Sequence, residues 1–321
     1  MKTYIIYITI LMYTCIISCK SENKTAIPQQ KEITTPSLII LGTAQDAGSP
    51  HIGCAKDCCK DLFQNPDKNR MVVSLGLVDP ENKMNWLFEA TPDITRQLKM
   101  LKNYSKFSTS EMPNGIFLTH AHIGHYAGLM YLGREAISAR KVPVYAMPRM
   151  KTFLEENGPW SQLVKLENIA IKALQNDSEI SISSNIKITP IKVPHRDEYS
   201  ETVGYMIQGP HKKALFIPDI DKWSKWEKNI IEQIKNVDYA FVDATFYDSN
   251  EIKNRNISEI PHPFAIESME AFKDLPKAEK DKIYFIHFNH TNPLLNIESE
   301  QSKTVIKNGF HIAQVNTIVE L

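Results

Sequence analysis

Five apolar runs in this chain each lead to a histidine or an aspartate, and that recurrence restricts the fold more than any other feature. Gly115 to Leu118 precedes His120, Ile186 to Val193 precedes His195, Ala214 to Ile217 precedes Asp219, Tyr239 to Val242 ends at Asp243, and Ile283 to Ile286 ends at His287. Short apolar runs bounded by turn signals read as buried strands. Ser37 to Leu41, Val142 to Ala146, Glu179 to Ser183 and Val203 to Gln208 read the same way, and Met71 to Val78 with Asn85 to Phe88 forms a hairpin across Asp79-Pro80. Helical stretches separate them. Thr91-Pro92 opens a helix with Ile94, Leu98 and Leu101 on one face, and Met150 to Glu156, Trp223 to Ile234 and Ala265 to Phe272 supply more. No repeat of solenoid length is present. Sheets with helices on their outer faces put function in loops at strand ends, so these tips are expected to converge.

The densest tip is the loop after Leu118. His120, His122 and His125 are three of the chain's ten histidines. Tyr126, Leu129, Met130 and Leu132 then read as the apolar stripe of a helix, so the loop lies between a strand end and a helix start. Neutral imidazole is a good zinc ligand, and a His-x-His pair reaches one ion from two directions. Three imidazoles leave such an ion cationic and open, and zinc of that kind lowers the pKa of bound water to ~7 and polarises a carbonyl or phosphoryl oxygen. This chemistry points to hydrolysis of an ester in a small-molecule substrate.

The chain has 321 residues, 42% hydrophobic and 23% charged, enough for one large or two small globular domains. Its 37 basic and 37 acidic residues cancel, which gives no overall electrostatic footprint for nucleic acid, and no nucleic-acid partner is expected. Residues 1–19 carry Lys2, an apolar run from Tyr4 to Ile17, then Ser18 and Cys19. That is the layout of a signal peptide, too short for a comfortable spanning helix. Ile16-Ile17-Ser18-Cys19 resembles a bacterial lipobox, which implies that Cys19 is acylated and that the protein is exported and lipid-anchored on the periplasmic or cell-surface side of a membrane. A simple secretory signal and an uncleaved anchor are the rivals. Residues 20–36, with Pro28 and Pro36, read as a flexible tether, and residues 37–321 as the folded domain.

Several blocks in order carry a family resemblance: Leu41-Gly-Thr-Ala with the cysteine loop after it, Ala90-Thr-Pro-Asp-Ile-Thr-Arg-Gln97, Gly128-Leu-Met-Tyr-Leu-Gly-Arg-Glu135, Asp243-Ala-Thr-Phe246 and His287-Phe-Asn-His-Thr-Asn-Pro293. From residue 37 to about 320 the chain resembles the metallo-β-lactamase superfamily, and within it the branch of coenzyme PQQ synthesis protein B. The resemblance implies an α/β fold, an αββα sandwich of two mixed sheets flanked by helices with metal at one edge. The superfamily's His-x-His-x-Asp-His, followed by a lone His, a lone Asp and a final His, falls on His120, His122, His125, His195, Asp219 and His287. It implies one metal on His120, His122 and His195, and a second facing His125 and His287, with Asp219 between them. Gly124 stands where the superfamily has Asp, so the second position loses a carboxylate. One firm zinc, with a weak second or none, is the expectation. Members of the PQQ branch often lack the two leading histidines, whereas this chain has both and looks more like a hydrolase.

Asp243-Ala-Thr-Phe and His262-Pro-Phe resemble two segments of ribonuclease Z in which a carboxylate and a histidine relay a proton, so Asp243 and His262 are candidates for general acid or its orienter. Glu89, at a strand end, is a candidate for holding a ligand histidine from behind. With Cys15 lost in the signal and Cys19 lipidated, Cys54, Cys58 and Cys59 remain, an odd number that disulfides cannot consume. Three thiolates and one imidazole complete a tetrahedral structural zinc site. His290 is the expected fourth ligand, as in related phosphodiesterases, with His51 its substitute; a disulfide plus one free thiol is the rival. His211 and His311 read as structural or exposed.

A phosphodiester is the substrate these likenesses favour. The alternative is a non-hydrolytic oxygenase or carrier role like that proposed for PQQ synthesis, for which iron fits the same histidines and carboxylate. A scaffold that binds without turnover is disfavoured by the intact histidines. β-Lactam hydrolysis is disfavoured by the subgroup motifs, and transfer-RNA processing by the export signal and neutral charge.

Overall fold

Alternation along each strand settles where the layers lie. In β1 (Ser37–Gly42), Leu38 and Ile40 face one way and Ile39 and Leu41 the other, and all four are buried. Side chains of a strand alternate between faces, so a strand apolar on both must be covered on both. A computed structural model describes residues 32–252 and 259–321. The expected signal segment 1–19, with Cys19, and residues 20–31 of the tether lie outside the described residues. Within residues 33–321, which form one compact unit, two mixed sheets of seven strands each stack face to face.

The first sheet contains β1, β2 (Ser74–Asp79), β3 (Met84–Phe88), β4 (Gly115–Phe117), β5 (Val142–Ala146) and β6 (Ile169–Ala173), in that spatial order. The second contains β7 (Ile180–Ser181), β8 (Lys187–Lys192), β9 (Val203–Gln208), β10 (Lys213–Ile217), β11 (Tyr239–Asp243), β12 (Ile283–Ile286) and β13 (His311–Ile312). The chain then returns as β14 (Ile318–Glu320) beside β1. β3 to β6 are parallel to one another, as are β10 to β13, while β1–β2–β3 and β8–β9–β10 pair antiparallel.

Between the sheets lie Trp86, Phe88 and Phe117 from the first and Tyr205, Phe216 and Phe241 from the second. Each large side chain so buried contributes about 1.5–3 kcal/mol. On the outer face of the first sheet pack α1 (Ile94–Tyr104), α3 (Pro148–Glu156) and α4 (Trp160–Lys165). On that of the second pack α5 (Ile230–Lys235), α6 (Ala265–Ala271) and α8 (Glu300–Lys307), so the order of layers is αββα. The short helices α2 (Ile123–Tyr126) and α7 (Lys277–Lys280) complete the set in chain order. Among the described residues, no helix is long and apolar enough to cross a membrane.

Three local expectations change. The helix expected over 223–234 is broken into a 3-10 turn at Trp223–Lys225 and α5, which starts where the Asn229 side chain accepts from the N–H groups of Ile231 and Glu232. Between them, buried Trp226 donates its Nε1–H to the Lys192 carbonyl at 2.8 Å, drawing the chain onto the second sheet. After α2, residues Ala127–Leu132 tighten into a 3-10 helix. Three residues per turn align Tyr126, Leu129 and Leu132 toward the core and throw Met130 out to 54% exposure. The first hairpin strand begins at Ser74 and not at Met71, because the Met71 carbonyl accepts from Thr43 and Ala44, and Val73 donates to Ala44.

Candidate metal centre

β4, β8, β10, β11 and β12 all end at the same edge of the sandwich, and their following residues meet there. Asp219 lies at the middle. Its Oδ2 is 3.4 Å from His120 Nε2, 4.0 Å from His122 Nδ1 and 3.8 Å from His125 Nε2, and its Oδ1 is 3.3 Å from His195 Nε2. His120 Nε2 and Asp219 Oδ1 are buried, yet no hydrogen bond of good geometry satisfies either. Atoms left so in a crowded polar pocket point toward a shared absent partner, and the donor set of imidazole and carboxylate fits zinc. One group of potential ligands comprises His120, His122, His195 and Asp219, and another His125, His287, Asp219 and Asp46.

Each imidazole is held from its far side. His120 Nδ1 meets Thr119 Oγ1 at 2.9 Å, His195 Nδ1 meets Asp221 at 3.3 Å, His287 Nδ1 meets Thr245 Oγ1 at 2.8 Å and His125 Nδ1 faces Glu89 at 3.4 Å. His122 is turned over, with Nδ1 inward and Nε2 against Glu198 at 3.3 Å. Such partners fix ring orientation and which nitrogen is free. Glu89 thus stands behind a candidate ligand, as the sequence suggested. Asp221, Glu198 and the two threonines were not legible there. Glu89 and His287 have φ of 74° and 68°, left-handed backbone that costs a non-glycine residue about 1–3 kcal/mol and clusters at functional sites.

The electrostatics follow from burial against charge. Burial, joined by the neighbouring imidazoles, lowers His120 and His122 against the pull of Asp219. At His195 burial also disfavours the charged ring, but the Asp219 carboxylate outweighs it and raises the pKa to about 9. His262 is raised to about 10, burial being overcome by Asp243 and Asp219. Its Nδ1 lies 2.8 Å from Asp243 Oδ2 and 3.1 Å from Asp219 Oδ1. Asp243 is fully buried and accepts from Thr245 N at 2.8 Å, Thr245 Oγ1 at 2.7 Å and Ile220 N at 3.2 Å. It has no path to solvent, whereas the side chains of His262 and His122 are 10% and 14% exposed. Solvent reaches the cluster at these two and at Asp46, whose side chain is 16% exposed.

Asp46 was the member sequence reading missed. Thr43 to Gln45 are clamped between the sheets: Gln45 N donates to Phe288 O at 2.8 Å and Phe288 N to Thr43 O at 2.7 Å. That clamp delivers the Asp46 carboxylate to 2.9 Å from His125 Nε2 and 3.3 Å from His287 Nε2. The expectation of a second position short of a carboxylate thus meets a carboxylate from elsewhere in the chain. The available signal was an acidic residue soon after the first apolar strand, the same pattern as the other tips.

The cysteine group assembles separately. Cys54, Cys58, Cys59 and His290 bring ligand atoms within 4.8 Å of one another. The three thiols are free, with Cys58 Sγ 3.8 Å from both other sulfurs. Burial and the neighbouring sulfurs push the Cys58 thiol up to about 12, so holding all three sulfurs as thiolates would need a cation among them. His290 turns Nδ1 to Asn289 Oδ1 at 3.1 Å, leaving Nε2 free. His51 stacks on His290 at 4.3 Å between ring centroids, and its N–H lies 3.4 Å from Cys59 Sγ. His211 is exposed, and His311 pairs with Asp281 at 2.9 Å.

Residues 84–288 match the sequence profile of the Beta-lactamase superfamily domain. Coenzyme PQQ synthesis protein B of Methylococcus capsulatus is 24% identical over 302 residues, 85% of this chain and 96% of its own. The protein of the same name from Acinetobacter baylyi is 23% identical over 305 residues, 88% and 99%. Among solved structures, Zn2+-bound PqqB from Methylobacterium extorquens superposes with a TM-score of 0.71 at 20% identity, covering 89% of this chain and 100% of that one. A diphosphatase of the PhnP family gives 0.62 at 20% identity, covering 89% and 97%. Fold and sequence profile agree, and the relatives just described are similar over nearly their whole length: the chain belongs to the metallo-β-lactamase superfamily.

Proposed function

We propose that this protein is a zinc-dependent hydrolase of esters, with a phosphodiester as its substrate. The observation that carries the reading is the His262–Asp243 pair set against Asp219 at the open side of the histidine cluster. His120, His122, His195 and Asp219 would hold the ion. Bound there, zinc supplies Lewis acidity and a water acidic enough to ionise near neutral pH. Ester cleavage also needs a proton for the departing oxygen. Asp243 holds His262 through Nδ1 and stabilises its charged form, which leaves Nε2 as the nitrogen that gives the proton up. Asp243, enclosed by its own hydrogen bonds, orients and does not itself touch substrate. Arg196, exposed beside His195, has no hydrogen bond or ion pair among the described residues and offers a cation at the entrance for an anionic ester.

The test is hydrolysis of bis(4-nitrophenyl) phosphate by zinc-loaded and chelated protein. Chelation should abolish activity, zinc should restore it, and Asp219→Ala should lower kcat by about a thousandfold, several kcal/mol of lost transition-state stabilisation. Equal rates with and without chelator would overturn the reading. A second reading has the curated relatives behind it: they carry the name PQQ synthesis protein B over 85–88% of the chain. A non-hydrolytic oxygenase of that kind would purify with iron and consume oxygen.

A further inference from the structure

Gly124 occupies the position at which the superfamily motif carries an aspartate, and the space its side chain would need is already filled. A Cβ on Gly124 would lie 2.4 Å from Asp46 Cα, 2.6 Å from its Cβ and 2.8 Å from its Cγ. Those separations are shorter than real Cβ contacts, and the nearest atom is backbone, which has little room to give. The carboxylate that fills the space is directed at the two imidazoles nearest it. Asp46 Oδ1 is 2.9 Å from His125 Nε2 and 3.3 Å from His287 Nε2. His287 commits its other nitrogen to Thr245, and Nδ1 of His125 faces Glu89 at 3.4 Å without a hydrogen bond of good geometry, so Nε2 is the nitrogen that each ring turns toward Asp46. Asp219 closes the group, and one ligand atom from each of the four residues lies within 4.8 Å of the others.

We propose that Asp46 supplies from the first loop the carboxylate missing at position 124, and that Asp46, His125, His287 and the shared Asp219 hold a second divalent cation. Glycine at 124 and aspartate at 46 then form a matched pair: the first must lack a side chain for the second to enter. The ligand set carries two carboxylates and two imidazoles, the hard oxygen and borderline nitrogen donors that zinc and manganese accept. The placement depends on the clamp of residues 43–45 between Met71 and Phe288, which fixes Asp46 against the tip of β12. A merely structural carboxylate–imidazolium pair between Asp46 and His125 is the competing account.

The experiment counts zinc and does not require turnover, so it stands apart from the hydrolase reading. Purified protein is loaded with zinc, desalted and analysed by elemental mass spectrometry, with affinities from calorimetric titration. Wild type should retain one equivalent more than Asp46→Asn, whose titration should weaken on the order of a hundredfold in one phase. Gly124→Ala should lose the same equivalent by displacing Asp46. Asp46→Asn was chosen because it keeps the side-chain shape, so its result holds even where a Gly124 variant fails to fold. Unchanged zinc count and affinity in Asp46→Asn, with or without a loss of thermal stability in the metal-free protein, would overturn the proposal in favour of the ion pair.

Discussion

Asp243 has no exposed atom and already accepts three hydrogen bonds from backbone and Thr245. Any influence it exerts on a substrate must therefore pass through its neighbours, His262 at 2.8 Å first and His287 Nδ1 at 3.7 Å behind it. Asp243→Asn keeps the volume and removes the charge, so it should lower kcat by ~100-fold or more, within the span general acid–base groups contribute. KM and zinc content should stay near wild type, and the alkaline limb of the kcat profile should move to lower pH, because the charge that holds the His262 proton is gone. Loss of zinc together with activity would make Asp243 a scaffold residue. At this scale the histidines and aspartates at strand tips were readable because each follows an apolar run. The groups behind them were not. Thr119, Glu198 and Asp221 are ordinary polar residues in sequence, and only closure of the sandwich puts them against ring nitrogens.

Strands were the most legible elements. Val142–Ala146, Val203–Gln208 and Ile283–Ile286 lie where apolar runs placed them, since strands buried on both faces leave continuous hydrophobic sequence. Elements whose limits depend on a distant partner were less so: the clamp at residues 43–45 shortens β2, and the Trp226 bond to Lys192 interrupts the expected long helix. The cysteine loop belongs with these. Little regular structure holds residues 50–60, and their attachment to the segment after β12 goes through His290 and His51. If zinc is the tie, His290→Ala should release about one equivalent of zinc, lower the thermal midpoint and expose the loop to protease. Zinc content and proteolysis unchanged from wild type would leave the loop held by packing alone.

At the scale of the whole molecule, the two sheets press six imidazoles and the carboxylates of Asp46, Glu89, Asp219 and Asp243 into one edge. In metal-free protein these groups compensate one another with protons. Burial opposes charge on His195 and His262, yet the carboxylates raise them to about 9 and about 10, above the ordinary 6.5. A base whose folded pKa is raised adds stability that is complete below 6.5 and is lost as pH climbs through the folded value. Asp46, Asp219 and Asp243 are depressed below the ordinary 3.8, in spite of burial, by the histidines facing them. Their contribution is present above that value and is lost as pH falls below it. The metal-free protein should thus be most stable in mildly acidic to neutral solution and lose midpoint temperature steadily from pH 7 to 10. Zinc reverses the upper arm, because its ligands must shed the same protons to bind, and the rise in midpoint on adding zinc should grow from pH 6 to pH 9. Scanning calorimetry at stepped pH, with chelator and with zinc, reads both arms. A metal-free midpoint that stays level from pH 7 to 10 would mean that these histidines are neutral in the folded protein and that protons do not occupy the place of the metal.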